Sequence, residues 1–426
     1  MIVLLIMFIL LLLGVPIGVA MGLGVASGLV FTQITAPAYI AQSLYAGLNS
    51  FPLLALPFFM IAGTIMNVGG LSRQLVKVAN AMIGNVTGGL GAVAILACMF
   101  FGAISGSAPA TVAAIGSVML PQMVQAGYDK YYAVGLVAVA GGLGVIVPPS
   151  FPLVLYGVTN NVSIGALFIA GIGPAIVVGS VLMLFNYIIS KRRGYQGSGE
   201  EASIKQFFKT AWEAKWALLM PVIILGGIYG GIFTPTEAAV ASVVYGLIVA
   251  AFVYKELNIS KIWGIYKDTT SFLGGMMLTF VPAISMGTLF ALMGVPEQIN
   301  AFFLGISTNY YVLLFVFFLV MLVIGMFVET APTIIILSPI FLNLFKDLGI
   351  NPVHFGVVIT ISLAIAFVTP PAAVNLFVAS TLSGISVEKI ARKALPFVMA
   401  LFVSLILIGF IPGISLKLLD ILGMAY

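Results

Sequence analysis

Two short motifs in the first half of the chain recur in its second half. They are Ser107-Ala108-Pro109 and Val147-Pro148-Pro149, matched by Thr330-Ala331-Pro332 and Thr369-Pro370-Pro371. The separation between Ser107 and Pro148 differs by a single position from that between Thr330 and Pro370. Each copy also has a polar turn between its motifs and closes on a hydrophobic residue followed by Ser, at Ser163 and Ser386. Four matching features in the same order predict an internal repeat.

The composition around these motifs is that of a membrane protein. Of the 426 residues, 62% are hydrophobic and 7% are charged, and the mean hydropathy is +1.23, whereas soluble domains carry about 25% charged residues. The apolar runs are long and do not alternate, so we expect helices that satisfy their own backbone hydrogen bonds in lipid. The predicted fold class is an all-α polytopic membrane protein with about a dozen helical segments in the bilayer. Met1 to Phe31 is predicted as the first transmembrane helix, bent near Pro16, because it exceeds the about 7–15 apolar residues of a signal peptide.

The basic residues predict the orientation of the chain. All of the 17 Lys and Arg residues except Lys346 and Lys417 fall in four groups beside the apolar blocks. The positive-inside rule places these groups, and with them the N-terminus, in the cytoplasm. This distribution accounts for the pI near 9.1 without a nucleic-acid partner. The turn Thr234-Pro235-Thr236-Glu237 is then predicted on the periplasmic side as a helix capping box.

The repeat gains a topology from these charges. The apolar block between Lys77 and Lys130 has both ends in the cytoplasm, which predicts a re-entrant helical hairpin with its tip near Ser107. The block from Asn309 to Asn351 enters from the opposite face, with its tip near Thr330. Two re-entrant hairpins and two helices broken at the double prolines form an inverted-topology repeat, which is typical of secondary transporters with a binding site at the membrane midplane.

The double prolines predict exposed carbonyl groups. Proline lacks an N–H and clashes with the carbonyl four residues earlier, so Pro148 is expected to free the carbonyl of Gly144, and Pro370 that of Ala366. Carbonyls freed inside a membrane require a polar cavity or a cation. Together with nearby hydroxyl groups they predict sites for two or more Na⁺ ions.

An anionic substrate is predicted at the same place. No Lys or Arg is expected in the membrane core, so helix N-termini and hydroxyl groups would hold a carboxylate. Candidate substrate residues are Ser107, Pro149, Glu329, Thr330 and Asn375.

Several of these residues have structural alternatives. Ser and Thr in membrane helices often serve close packing, and Glu329 is either a functional acid or a helix cap in a wet vestibule. Glu237 is interpreted as a cap and His354 as structural. The single Cys98 excludes an internal disulfide and a cysteine metal cluster.

Three motifs resemble the large membrane subunit of TRAP (tripartite ATP-independent periplasmic) transporters over essentially the whole chain. They are Gly102-Ala103-Ile104-Ser105-Gly106-Ser107-Ala108-Pro109-Ala110-Thr111, Gly231-Ile232-Phe233-Thr234-Pro235-Thr236-Glu237-Ala238-Ala239 and Thr369-Pro370-Pro371. The resemblance implies Na⁺-driven transport by an elevator fold in a bacterial cytoplasmic membrane. It implies two partners, a periplasmic substrate-binding protein and a small four-helix membrane subunit. Substrates in the family include sialic acid, toward which we lean, C4-dicarboxylates and related acids.

The resemblance also implies ligands and domains. The first Na⁺ site would use Ser105, Ser107, Gly144, Val147 and Pro149, and the second, by the internal repeat, Thr330, Ala366, Thr369 and Pro371. Val328 replaces the hydroxyl of Ser105 in the second set. The domains would be N-terminal scaffold helices (1–86), the first half of the transport domain (87–190), a cytoplasmic loop with scaffold helices (191–309) and the second half of the transport domain (310–426).

Other classes of function agree less well with the sequence. The main alternative is a stand-alone Na⁺/dicarboxylate symporter that needs no binding protein. An enzyme is not expected, because the chain has one His and no HExxH, and an ATP-driven pump is not expected, because it has no GxxxxGK[ST] loop. A channel is disfavoured by the repeat, which indicates alternating access.

Overall fold

A computed structural model describes residues 2–197, 204–371 and 373–424. Within these ranges the chain forms 22 α-helices, one 3₁₀ turn and one π turn, and no strand. The prediction of an all-helical fold is confirmed. Six of the helical stretches are long and apolar enough to cross a bilayer, and six shorter apolar helices accompany them among the described residues. About a dozen apolar segments were expected from the sequence.

The N-terminal region differs from the prediction of one bent helix. It comprises α1 (Ile2–Leu12), α2 (Ile17–Thr32), α3 (Pro37–Leu48), a 3₁₀ turn (Phe51–Leu54), α4 (Ala55–Val68) and α5 (Leu71–Ile83). The chain folds back between α1 and α2, so that Val3 lies against Gly24 and Gly28. A Cβ on Gly28 would stand 2.8 Å from Cγ2 of Val3. The two glycines therefore allow a close helical hairpin, and Pro16 begins a separate helix rather than bending one.

The first copy of the repeat contains α6 (Gly89–Ser105), α7 (Ala108–Gln125), α8 (Lys130–Ala140), α9 (Leu143–Ile146), α10 (Phe151–Asn160) and α11 (Ile164–Arg193). α6 and α7 pack together as a hairpin. Its tip falls at Gly106, whose φ of +58° suits glycine. The predicted position of the tip is therefore correct, and the helix breaks between α9 and α10, at the first double proline.

The middle of the chain contains α12 (Ile204–Glu213), α13 (Lys215–Tyr229), α14 (Pro235–Ile248), a π turn (Val249–Val253), α15 (Ile259–Leu292) and α16 (Val295–Ile306). The predicted capping box at the start of α14 is confirmed. The backbone N–H of Thr234 donates to Oε2 of Glu237 at 2.8 Å, and the backbone N–H of Glu237 donates to Oγ1 of Thr234 at 3.3 Å.

The second copy contains α17 (Tyr310–Gly325), α18 (Thr330–Asp347), α19 (Pro352–Ala366), α20 (Val374–Ser383), α21 (Val387–Phe410) and α22 (Gly413–Ile421). α18 begins at the predicted second tip, with Glu329 as its N-cap. The chain leaves helical geometry between α19 and α20, at the second double proline.

The helix caps correct the register of the repeat by one residue. α7 and α18 both have 18 residues, and their N-caps are Ser107 and Glu329. We call the separation of these two residues along the chain the N-cap offset. The N-caps of α8 and α19, Asp129 and Asn351, have the same offset. Ser107 therefore corresponds to Glu329, and not to Thr330 as the Ala-Pro match suggested.

The offset changes after the double prolines. The N-caps of α11 and α21, Ser163 and Ser386, are separated by one position more than the N-cap offset. The left-handed C-caps of α10 and α20, Asn161 and Gly384, have this same longer separation. The second copy therefore carries one extra residue just after its break.

The two copies pack on each other reciprocally. α10 of the first copy packs against α18 of the second, and α20 of the second packs against α7 of the first. Gly142 lies next to Ala364, its own counterpart at the N-cap offset, and a Cβ on Gly142 would stand 3.6 Å from the Ala364 carbonyl oxygen. Reciprocal contacts with equivalent residues meeting at the centre are the pattern of an approximate two-fold relation.

Candidate functional site

The first hairpin tip and the first helix break are in direct contact. The backbone N–H of Phe151 donates to the carbonyl of Gly106 at 3.2 Å. Gly144 in α9 has no room for a side chain, because a Cβ there would collide with Oγ1 of Thr111 and stand 2.6 Å from the Ser107 carbonyl oxygen. The tip and the break therefore form one compact unit of backbone and hydroxyl oxygens.

Three oxygen atoms cluster inside this unit. Oγ of Ser105 lies 3.1 Å from Oγ1 of Thr111, and Oγ1 of Thr111 donates to the Ser107 carbonyl at 2.8 Å. The Ser105 and Thr111 side chains are 2% and 0% exposed. Hard cations take oxygen ligands, and these oxygens bond to one another in the structure. The structure thus brings together Ser105, Ser107 and Gly144, three of the candidate Na⁺ ligands.

Thr111 was missed as a candidate in the sequence, although it lies inside a motif that drew attention. The available signal was its spacing. A hydroxyl four residues after a helix N-cap reaches back to the carbonyl of that cap, so Thr111 is placed against the tip by the first turn of α7.

The second tip repeats this arrangement. The backbone N–H and Oγ1 of Thr333 both donate to the Glu329 carbonyl, at 3.2 and 2.8 Å. Thr333 is 1% exposed, and it corresponds to Thr111 at the N-cap offset. In the corrected register the counterpart of Ser105 is Phe327, so the second tip lacks that hydroxyl in either alignment.

The second break differs from the simple expectation. The carbonyl of Ala366 is not left without a partner, since the N–H of Thr369 donates to it at 3.1 Å. This hydrogen bond closes a tight turn and gives the Ala366 carbonyl the partner that Pro370, which has no N–H, does not supply. The hydroxyl of Thr369 donates back to the Ile365 carbonyl at 2.8 Å. Across the break, the N–H of Asn375 donates to the Phe367 carbonyl at 3.0 Å.

Both tips open onto one cavity of about 360 Å³. Its walls include Ser107, Glu329, Thr330 and Ala366 from the candidate site residues. The other candidates, Ser105, Gly144, Val147, Pro149, Thr369 and Pro371, lie outside its lining in the described chain. Asn375 also lies outside it, fully buried, and its Nδ2 donates to the Ala138 carbonyl in α8 at 3.1 Å. Oδ1 of Asn375 is buried and has no hydrogen-bond partner in the described chain, so the substrate role of Asn375 stays a prediction.

The cavity walls are mainly apolar and aromatic. They include Phe151 of α10, Phe272 and Met276 of α15, and Met60 of α4. No Lys, Arg or His is among the described lining residues. The described lining offers an acid the backbone N–H groups at the start of α7 and α18 and hydroxyl groups, beside the carboxylate of Glu329, and the binding of an anion here stays a prediction.

Glu329 occupies a distinctive position at this cavity. Its side chain is exposed to the cavity, and its Oε2 lies 3.5 Å from Oγ1 of Thr279 in α15, whose hydroxyl donates to the Met276 carbonyl at 2.8 Å. No side-chain hydrogen bond caps the start of α18 at Glu329. The carboxylate thus contacts α15 rather than its own helix.

His354 lies away from the cavity and is held by packing. It is 0% exposed, with Nδ1 at 3.2 Å from Oγ of Ser415 and Nε2 at 3.4 Å from the Gly409 carbonyl oxygen. Both ring nitrogens contact α21 and α22, which fits the structural role interpreted from the sequence.

Comparison with known families gives a match over nearly the whole chain. Residues 4–414 match the family model described as "Tripartite ATP-independent periplasmic transporter, DctM component". The C4-dicarboxylate TRAP transporter large permease DctM of Pseudomonas aeruginosa is 38% identical over 386 residues, covering 91% of this chain and 90% of that protein. The sialic acid TRAP transporter large permease SiaM of Vibrio cholerae is 37% identical over 409 residues, covering 96% of each.

A longer relative is also similar. The isethionate TRAP transporter permease DctMQ of Oleidesulfovibrio alaskensis is 42% identical over 406 residues, which are 95% of this chain and 64% of that protein. The present chain therefore spans less than two thirds of that relative.

The fold has a solved counterpart. The crystal structure of the YdaH transporter of Alcanivorax borkumensis superposes with a TM-score of 0.66, covering 89% of this chain and 90% of that one at 17% identity. Similarity at this level concerns the fold alone.

Proposed function

The chain belongs to the DctM family of tripartite ATP-independent periplasmic transporters, as a large membrane permease subunit, and we propose that it imports a small organic acid by Na⁺ symport. The observation that carries the proposal is the convergence of two equivalent hairpin tips on one cavity without a cationic side chain among its described lining residues. The family is tripartite, so the permease works with a small membrane subunit and a periplasmic binding protein.

Sodium coupling is supported by the paired oxygen clusters. Thr111 and Thr333 make the same hydrogen bond to the carbonyl of the N-cap residue in the two halves. The first cluster lies against Gly144 at the first double-proline break, and Ala366, at the end of the helix before the second break, lines the same cavity as the second tip. We propose one Na⁺ site at each cluster. The first site centres on Ser105, Ser107, Thr111 and Gly144, and the second on Glu329, Thr333, Ala366 and Thr369.

The size of the cavity favours a small substrate. Pockets for drug-sized ligands enclose about 300–1,000 Å³, and about 360 Å³ is near the lower end of this range. Relatives named for C4-dicarboxylate, isethionate and sialic acid are all similar to this chain. We propose an organic acid in this size range, and the sialic acid toward which the sequence leaned stays among the candidates.

An elevator movement is supported by the composition of the cavity walls. One side is formed by the hairpin tips and breaks, and the other by Ile17, Met60, Phe272 and Met276. The latter belong to α2, α4 and α15, in the regions predicted as scaffold. Smooth apolar side chains on that face suit sliding of one body past the other. Inversion of the two halves in the membrane follows from the proposed positive-inside topology.

The test is uptake into proteoliposomes containing this chain with its small membrane subunit. Radiolabelled succinate, isethionate and sialic acid are offered with and without the binding protein and an inward Na⁺ gradient. We expect uptake of a small acid that requires both the gradient and the binding protein. Equal uptake in a K⁺ gradient contradicts Na⁺ coupling, and full uptake without the binding protein supports a stand-alone symporter.

A further inference from the structure

A second cavity, of about 270 Å³, is surrounded by basic side chains and shares no described lining residue with the cavity at the hairpin tips. It lies where the start of α8, the end of α11 and the start of α21 meet. Its lining includes Arg192, Arg193, Arg392 and Lys393 around Tyr132 and Phe397. We name this cavity the basic pocket.

The positive charge of the basic pocket is mostly uncompensated. Arg193 lies 3.9 Å from Oδ1 of Asp129. Within residues 2–197, 204–371 and 373–424, the other three cations make no ion pair. Glu388, one turn before Arg392 in α21, makes none in that part of the chain either. Cations that merely mark the cytoplasmic side need not converge, whereas these come together from two helices distant in sequence.

The floor of the pocket is rigid and aromatic. Tyr132 is 3% exposed, and its hydroxyl donates to Oδ1 of Asn186 at 2.8 Å. The guanidinium of Arg193 lies 5.4 Å from the centre of the Tyr132 ring. The centres of the Tyr132 and Phe397 rings are 5.5 Å apart. A fixed aromatic floor holds Arg193 by a cation–π contact, which limits the entropy lost when the pocket binds an anion.

Apolar stripes lead away from the pocket along both helices. On α11, Ile188 and Leu184 precede Arg192 by one and two turns and are 42% and 55% exposed. On α21, Leu395 and Met399 follow Arg392 and are 59% and 51% exposed. Both helices are long and apolar enough to span a bilayer. The cations therefore lie at the membrane surface, with lipid-facing side chains directly beside them.

We propose that the basic pocket binds the phosphate headgroup of an anionic phospholipid, of the cardiolipin class with two phosphodiesters. Arg side chains bind phosphate oxygens in a bidentate manner, and basic pockets between transmembrane helices at the cytoplasmic surface suit such headgroups. The acyl chains lie along the stripes of α11 and α21. A free phosphate shares the headgroup chemistry but makes no use of the stripes, which is why the lipid is favoured. This proposal does not depend on the proposed substrate or ion.

The experiment is native mass spectrometry of the chain purified with its small membrane subunit, titrated with cardiolipin, phosphatidylglycerol and phosphatidylcholine. The pocket variant is Arg192→Gln/Arg392→Gln/Lys393→Gln. The matched control is Lys205→Gln/Lys209→Gln/Lys267→Gln, which removes the same charge from exposed cations outside the pocket. Thermal unfolding of all three proteins shows whether each is folded.

We expect the wild-type protein to retain cardiolipin in preference to phosphatidylcholine. Each cation near an anionic headgroup strengthens binding roughly fivefold, so the pocket variant should bind cardiolipin roughly 100-fold more weakly. The control should bind it as the wild type does. Equal losses in both variants, or none in the pocket variant, overturn the proposal.

A second measurement separates the lipid from a soluble ligand. Inorganic phosphate at millimolar concentration is expected to leave bound cardiolipin in place. If it displaces the lipid fully, the pocket is a site for soluble phosphate and the proposal is overturned. If the triple variant is unstable, the single variants Arg392→Gln and Arg392→Lys replace it. An unaltered cardiolipin affinity in folded Arg392→Gln contradicts a headgroup contact. Arg392→Lys, which keeps the charge, is the milder change.

Discussion

At the scale of single residues, Thr111 and Thr333 occupy equivalent positions in the two halves of the molecule. Each is almost fully buried, and each donates its hydroxyl to the carbonyl that caps its own helix, with an oxygen–oxygen distance of 2.8 Å. Buried hydroxyls commonly bond four residues back in membrane helices, so the bond alone is ordinary chemistry. Their equivalent positions at the two hairpin tips make them candidates for a functional role.

We predict that Thr111→Val and Thr333→Val each raise the Na⁺ concentration for half-maximal uptake. The substitution keeps the shape and removes one oxygen, and a hydrogen bond or ligand of this kind contributes about 1 kcal/mol, or roughly fivefold. Uptake into proteoliposomes against Na⁺ concentration measures the effect.

The control is Thr360→Val. Oγ1 of Thr360 makes the same bond, to the Gly356 carbonyl at 2.8 Å, and Thr360 is 1% exposed, but it lies in the middle of α19 and not in the first turn after a hairpin tip. Its Na⁺ dependence should match the wild type. An equal change in all three variants shows that lost helix packing, and not ion binding, explains the result.

The residue scale also shows what the sequence could not resolve. The sequence located both tips and both breaks, because Ala-Pro and Pro-Pro are rare enough to align. The sequence comparison paired Ser107 with Thr330, because each of them precedes an Ala-Pro pair. The true register follows from N-cap geometry, where Glu329 takes the place of Ser107. A cap is defined by backbone angles and hydrogen bonds. Matching the residue letters of the two copies gives no information on either.

At the scale of elements, the break between α9 and α10 depends on close backbone approach. Gly102 and Gly144 face each other, and a Cβ on Gly102 would stand 3.0 Å from the Cα of Gly144. Small residues that let membrane helices approach closely are a known packing device. Here they bring the backbone of the break against the tip of the hairpin.

We predict that Gly144→Ala lowers Na⁺-driven uptake by about tenfold or more, since forcing an extra methyl group into a packed site costs about 1–3 kcal/mol. The added methyl group would push on Thr111 and on the Ser107 carbonyl. The measurement is the initial rate of uptake, normalised to the amount of inserted protein.

Gly226→Ala is the matched control, because a Cβ at Gly226 in α13 meets no described atom within 4 Å. This variant should transport as the wild type does. If Gly144→Ala also retains wild-type uptake, the contact between tip and break has no role in transport.

Most elements were predictable because their ends carry strong local signals. The capping box at Thr234 and the tip at Gly106 were correctly located from turn and cap chemistry alone. The N-terminal hairpin was not predicted, because a Pro inside an apolar run is equally consistent with a kinked helix and with the start of a new helix. The contacts of Val3 with Gly24 and Gly28 decide between these two, and such contacts arise only from tertiary packing.

At the scale of the whole molecule, the contact between Thr279 and Glu329, with Oγ1 and Oε2 3.5 Å apart, joins two regions that were predicted to move relative to each other. Thr279 belongs to α15 in the predicted scaffold, and Glu329 belongs to the second hairpin tip. The division into scaffold and transport domain stays a prediction, and this contact offers a way to test it.

We predict that Thr279→Cys/Glu329→Cys, bridged by Hg²⁺, stops uptake, and that excess thiol restores it. An elevator whose tip is tied to its scaffold cannot complete a cycle. The native Cys98 is free and buried, so it should contribute little background. Uptake is measured before bridging, after bridging and after excess thiol has removed the Hg²⁺. The unbridged variant is the reference, because Glu329 belongs to the proposed second Na⁺ site.

A bridge within the predicted scaffold is the comparison. Arg73 and Glu256 form an ion pair at 2.9 Å, and both lie in segments assigned to the scaffold. The bridged Arg73→Cys/Glu256→Cys protein should transport normally. Transport that persists with Thr279 and Glu329 bridged rules out movement between these two regions.

The change in the offset between the two copies has a consequence for the history of the gene. If the two halves descend from one duplicated ancestor, a single codon was gained in the second copy or lost from the first. The site of that event lies between Pro371 and Ala373, because the double prolines keep the N-cap offset, whereas Ser150 and Ala373, the N-caps of α10 and α20, already have the longer one. The two breaks have since differed in length, so their backbones have been free to diverge. A substitution studied in one half therefore maps onto the other by the N-cap offset before the break and by one position more after it.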